Sequence, residues 1–90
     1  MKHIDFIINP ISGAKDKKKI VRIIEEELDR SKFTYSCIYT AGPGNATELA
    51  RDSKADIVCA VGGDGTLNEV ARGLLGTSKT FALIPCGDSG

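Results

Sequence analysis

The chain has 90 residues, of which 12 are basic and 12 acidic, so its formal net charge is zero. That length supports one small domain whose core leaves it only marginally stable. Balanced charge excludes the basic footprint of a nucleic-acid-binding domain, and no nucleic-acid partner is expected. No apolar run is long enough to span a bilayer, and Met1 leads almost directly into a strand-like run rather than a secretory leader. Cys37, Cys59 and Cys86 are odd in number, widely spaced and set in apolar strand patterns. Free thiols in a reducing cytoplasm are therefore expected, rather than a disulfide or a metal site.

Residues 4–8 are mostly apolar and stop at Asn9-Pro10, which predicts a buried first strand. Ile20, Val21, Ile23, Ile24 and Leu28 then recur at helical spacing, with Lys17, Lys18 and Lys19 and Glu25, Glu26 and Glu27 on the remaining face. That is an amphipathic helix over about 15–30. Phe33, Tyr35, Cys37 and Tyr39 alternate, predicting a second strand more exposed on one face. Gly42-Pro43-Gly44-Asn45 reads as a turn, with Asn45 the N-cap of a helix through Lys54 that buries Ala46, Leu49 and Ala50. Residues 57–61 are apolar without interruption and suit a central parallel strand covered on both faces. Leu67, Val70, Ala71, Leu74 and Leu75 form the stripe of a third helix that stops at Gly76, and residues 81–84 make a fourth strand. The order βαβαβαβ predicts an α/β fold, a three-layer sandwich with a mostly parallel sheet, right-handed crossovers and helices on both faces.

Between the third strand and third helix lies Gly62-Gly63-Asp64-Gly65-Thr66-Leu67-Asn68-Glu69. Three glycines and a carboxylate at a strand–turn–helix junction have the architecture that holds a phosphate. Glycine there tolerates positive φ and leaves no Cβ in the way of a ligand. The helix behind it aims unpaired N–H groups and a positive dipole end at the turn. No Gly-Lys-Ser/Thr follows, so this is not a Walker A loop. Gly63 and Gly65 supply two glycines of a dinucleotide fingerprint, but Asn68 stands where the third belongs.

Asp64 either caps the helix or serves chemistry, since a carboxylate beside a triphosphate needs a metal, a proton or a hydroxyl between them. Thr66 and Asn68 place short hydrogen-bonding groups near the helix start, and Glu69 is either a site residue or ordinary first-turn chemistry. Asn9 precedes Pro10, which imposes an extended exit, and on its own reads as a turn holder. Thr40 is a lone hydroxyl at a strand end. Lys15, Lys17, Lys18 and Lys19 crowd a helix start that disfavours cations, as a solvated face or as a basic approach to a nucleotide. In an open parallel sheet, ligands bind outside the carboxyl ends of the strands. The segments at Asn9, Thr40, Gly62 and Pro85 all follow strands directly and so converge on one edge.

Gly62-Gly63-Asp64-Gly65-Thr66 resembles the signature of the diacylglycerol kinase, sphingosine kinase and NAD kinase superfamily, and Leu67-Asn68-Glu69-Val70 is similar to its lipid kinase branch. Asn9-Pro10-Ile11-Ser12-Gly13 resembles the family's Asn-Pro-x-Ser/Gly-Gly after the first strand. Ile84-Pro85-Cys86-Gly87 resembles its Pro-x-Gly-Thr-Gly-Asn after the last, although Asp88-Ser89 departs from the Thr expected before Gly. The resemblance implies a cytoplasmic kinase of phospholipid metabolism that uses ATP and Mg²⁺ to phosphorylate a hydroxyl of diacylglycerol or a related lipid, with peripheral membrane contact. It makes Asp64 catalytic, through the metal–nucleotide or the accepting hydroxyl. It turns Asn9, Ser12, Gly13, Thr40, Gly62, Gly63, Gly65, Thr66, Asn68, Glu69 and Gly87 toward the nucleotide. It further implies that residues 1–90 are the nucleotide-binding part of a two-domain chain, with the lipid cleft, a structural metal site and a catalytic carboxylate in a β-rich second domain. The 90 residues alone are then expected to be inactive, to expose apolar surface or an unpaired sheet edge, and to dimerise or exchange strands. The alternatives are an NAD kinase-like enzyme and a non-catalytic nucleotide-binding or dimerisation module.

Overall fold

The structure, a computed structural model, describes residues 2–9 and 17–85. Its elements are β1 (Lys2–Ile8), α1 (Lys17–Glu27), β2 (Phe33–Tyr39), α2 (Asn45–Asp52), β3 (Ile57–Gly62), α3 (Asp64–Gly73) and β4 (Thr80–Pro85). All the strand pairs are parallel, in the order β2-β1-β3-β4. The mostly apolar β1 and the unbroken apolar run of β3 take the two inner places, where both faces are covered. The alternating β2 lies at an edge, half-buried along most of its length.

Residues two apart share a face of the sheet. Ile4, Phe6 and Ile8 of β1 pack with Cys59 and Val61 of β3 and with Ile24 of α1. On the other face Ile7, Val58 and Ala60 meet Ala46 and Ala50 of α2 and Val70 and Leu74 of α3. One helix therefore covers one face and two cover the other, which gives the three layers. This division follows from right-handed crossovers: the chain steps one way from β1 to β2 and the opposite way through β3 to β4. The reversal leaves a crevice between the carboxyl ends of β1 and β3.

Several element ends differ from the sequence expectation. α1 gives way after Glu27 because Asp29 offers the backbone a competing arrangement. Its carboxylate accepts from the Ser31 N–H at 3.0 Å and the Ser31 hydroxyl at 2.5 Å, and its carbonyl accepts from the N–H groups of Lys32 and Phe33. Asn45 is not the N-cap of α2. Gly44, at φ 80°, holds that position with no side-chain cap bond, and Asn45 is the first helical residue. α2 stops at Asp52 rather than Lys54, since Ser53 is extended and its hydroxyl donates to the buried Asp5 carboxylate at 2.6 Å. The Lys79 ammonium closes this end by donating to the carbonyls of Ala50 and Arg51, at 3.1 and 2.9 Å.

Leu75 does not join the stripe of α3. The helix ends at Gly73, the chain turns through Gly76 at φ 78°, and Leu75 is 77% exposed. Phe81 and Leu83 of β4 are also exposed. Of the cysteines, Cys59 is buried and Cys37 half-buried, with no disulfide between them, and Cys86 lies outside the described residues. Burial, reinforced by the charge of Glu25, pushes the Cys37 thiol above its ordinary 9.0. Because the proton is held more tightly in the folded chain, alkylation of Cys37 by iodoacetamide should need more alkaline solution than a free thiol. Rapid labelling at neutral pH under native conditions would contradict this.

Candidate functional site

The carboxyl ends of β1 and β3 are tied together where the sheet reverses. The Asn9 N–H donates to the Val61 carbonyl at 3.2 Å, one rung past the end of β1. The Asn9 side-chain amide donates to the Thr66 hydroxyl at 3.2 Å, and Thr66 is only 5% exposed. On the other side of β1, the Thr40 N–H donates to the Ile8 carbonyl at 2.9 Å. Asn9 therefore bridges strand end and helix start, beyond the turn-holding role the residue alone suggests.

α3 begins at the crevice. Gly63 is its N-cap, and the Leu67 N–H makes the first helical bond to the Gly63 carbonyl at 3.1 Å. The N–H groups of Asp64, Gly65 and Thr66 precede that bond and have no acceptor within the helix. They concentrate the positive end of the helix dipole at the turn. Asp64 is exposed, caps nothing and makes no hydrogen bond or ion pair among the described residues. It is not the N-cap of α3, and its carboxylate stands in the first turn, where the helix dipole favours it.

The reason for the glycines also changes. Gly63 has φ −86° and ψ −172°, ordinary extended backbone, and among the described residues only Gly44 and Gly76 have positive φ. Left-handed backbone is therefore not what the loop requires. A Cβ built on Gly63 or Gly65 meets nothing within 4 Å among the described residues. The glycines keep space open above the helix start, where a ligand can approach the backbone.

A pocket of about 250 Å³ opens beside this turn. Asn9 and Thr40 enter it from the strand ends, and Gly65, Thr66 and Glu69 from the first turns of α3. Gly42 and Pro43, in the loop between β2 and α2, close the remaining side. Five of the residues singled out from the sequence are thus brought together. Gly62, Gly63, Asp64 and Asn68 do not line the pocket: Gly62 ends β3 opposite Pro85, Gly63 and Asp64 stand at the helix tip, and Asn68 is exposed on α3. Ser12, Gly13 and Gly87 lie outside the described residues. Gly42 and Pro43 were legible only as a turn, although their position directly after Thr40 is the signal that could have placed them at the site.

The diacylglycerol kinase catalytic domain matches residues 3–90. The chain belongs to the diacylglycerol kinase catalytic domain family. It is 35% identical to a diacylglycerol kinase of Bacillus subtilis (strain 168), over 97% of this chain and 30% of that protein. It is 38% identical to sphingoid long chain base kinase 5 of Saccharomyces cerevisiae, over 96% of this chain and 14% of that protein. Among solved structures, a diacylglycerol kinase from Bacillus anthracis str. Sterne superposes with a TM-score of 0.74 at 29% identity, covering 96% of this chain and 33% of the other. The chain therefore spans about a third or less of the length of these relatives. Among the described residues, no helix is long and apolar enough to cross a membrane, and no group of three or more His, Cys, Asp or Glu is gathered that could hold a metal.

Proposed function

We propose that this domain holds the nucleotide of an ATP-dependent lipid kinase. Phosphates rest on the N–H groups of Asp64, Gly65 and Thr66, and the nucleoside occupies the pocket between Thr40, Pro43 and Glu69. The observation that carries this reading is the coincidence of the pocket, the open space over Gly65 and three unpaired helix N–H groups at one point of the sheet. Charge supports the assignment of ends. The Glu69 carboxylate repels phosphate but can accept from hydroxyl or amino groups of a nucleoside, whereas the helix start attracts the phosphates.

An exposed carboxylate with no partner among the described residues, next to the phosphate position, suits Mg²⁺, which binds one or two carboxylates together with substrate phosphates. Asp64 is the residue that would hold it there. The ion, when bound, neutralises charge on the transferring phosphoryl group. The protein's own part is positioning: the helix N–H groups fix the phosphates, Asn9 orients the Thr66 hydroxyl, and the pocket holds the nucleoside in line. Transfer to a hydroxyl of diacylglycerol or a related lipid is proposed for a chain in which a second domain supplies the acceptor site. By itself this chain should bind nucleotide without phosphorylating lipid, and in a cell it would work in the cytoplasm at a membrane surface.

Calorimetric titration of the chain with ATP, with and without Mg²⁺, tests the reading. The parent should bind MgATP more tightly than ATP. Asp64→Ala should lower MgATP affinity about tenfold, the scale of one charge-assisted contact, and should not weaken metal-free ATP, whose phosphates the carboxylate repels. Absence of any nucleotide binding by a chain shown to be folded would overturn the assignment.

A further inference from the structure

We infer that Asn45 is a positioning residue that fixes the Gly42–Pro43 wall of the pocket. The inference rests on the nucleotide reading above and names the residue that shapes one side of that site. Beyond Thr40, β2 has no ladder partner left. β1 has ended, and the Asn9 N–H already turns to Val61. The next donor, the Ala41 N–H, is taken by the Asn45 side-chain carbonyl at 2.8 Å. The Asn45 N–H donates in turn to the Gly42 carbonyl at 3.2 Å. Two bonds from one residue thus close the loop on both sides of its tip.

The geometry makes this closure matter to the pocket. Ala41, Pro43 and Gly44 are exposed and Gly42 is half-buried, so packing does little to hold the tip of the loop in place. Behind it, Ala46 is 1% exposed and anchors α2 against the sheet. Asn45 therefore links the buried start of α2 to a wall that no other side-chain hydrogen bond holds among the described residues. Losing the side-chain bond leaves the Ala41 N–H to water and lets Gly42 and Pro43 sample other positions. A ligand must then order them again when it binds, which lowers affinity without removing any contact to the ligand itself.

The experiment compares MgATP affinity and thermal midpoint of the whole chain with those of three variants. Asn45→Ala removes the acceptor, Asn45→Asp retains an acceptor oxygen at the same place, and Lys79→Met removes the bonds that close the far end of α2. Asn45→Ala should weaken MgATP about three- to tenfold, the range of one lost hydrogen bond. Asn45→Asp should bind within about twofold of the parent, since a carboxylate is tolerated at a helix start. Lys79→Met should lose stability but keep parental affinity. Equal affinity of Asn45→Ala and parent would overturn the inference. So would equal weakening by Asn45→Ala and Lys79→Met, which would show a general effect of stability, or failure of Asn45→Asp to restore binding. A folded parent that binds no nucleotide would remove the nucleotide reading itself, a result distinct from a parent that binds as well as Asn45→Ala.

Discussion

Replacing Gly73 with valine should cost about 3 kcal/mol or more, out of roughly 5–13 kcal/mol for a chain of this size. Gly73 is buried at the end of α3, where α2 crosses it. A Cβ there would run into the Thr47 carbonyl oxygen and lie 3.0 Å from the Ala50 Cβ. Neither neighbour can yield easily. The Thr47 carbonyl belongs to the helical backbone of α2, and Ala50 is fully buried against the sheet. The Thr47 hydroxyl also donates to the Glu69 carbonyl at 2.8 Å, holding the two helices at this separation. Relief requires α2 to move off α3, which opens the core around Ala46, Val58 and Val70. Thermal unfolding should show a midpoint lower by at least about 12 °C. A midpoint within a few degrees of the parent would mean that the two helices do not pack this closely.

Gly65→Ala should separate stability from binding. Among the described residues a Cβ at Gly65 meets no atom within 4 Å, and Gly65 lies in α3 without positive φ. Alanine in such a helical position stabilises by about 0.5–1 kcal/mol, mainly by restricting the unfolded chain. The same methyl group projects into the space beside the pocket that Gly65 lines. MgATP affinity should fall at least about tenfold, because the phosphates could no longer approach the helix N–H groups. The expected variant is thus slightly more stable and binds poorly, as measured by thermal unfolding and calorimetry on one preparation. Parental affinity in Gly65→Ala would show that the ligand does not approach α3 across this glycine. A loss of stability would show instead that the open space is occupied by another part of the chain.

Much of this was legible in the residues. The unbroken run at 57–61 marks a central strand covered on both faces, and the structure places it so; the alternation of Phe33, Tyr35, Cys37 and Tyr39 marks a more exposed strand, which the structure sets half-buried at an edge of the sheet. Asn9, Thr40, Gly65, Thr66 and Glu69 meet in one pocket because each stands at a strand end or helix start on the same edge of a parallel sheet. What escaped were competitions between local hydrogen bonds. Asn45 looks like an N-cap, yet its side chain reaches back to Ala41 instead of forward into α2. Asp29 lies within the helical pattern of α1, yet its carboxylate and carbonyl capture Ser31, Lys32 and Phe33. In both cases the residue type allows two bonding patterns of similar energy, and the surrounding fold selects one.

The sequence by itself determined the succession of strands and helices, the family and the edge of the sheet that carries the site. The succession and the edge follow from short-range periodicity and from the parallel crossovers that such a succession demands, and the family from the resemblance of the segments at Asn9, Gly62 and Pro85. Tertiary structure alone decided the order β2-β1-β3-β4, and with it the crevice where Asn9 reaches Thr66 and the loop of Gly42 and Pro43 becomes a wall. Strand order depends on pairings between segments far apart in the chain, such as Ile4 beside both Tyr35 and Ile57. Apolar runs are nearly interchangeable in such pairings, so only the packing of all the layers together selects among them.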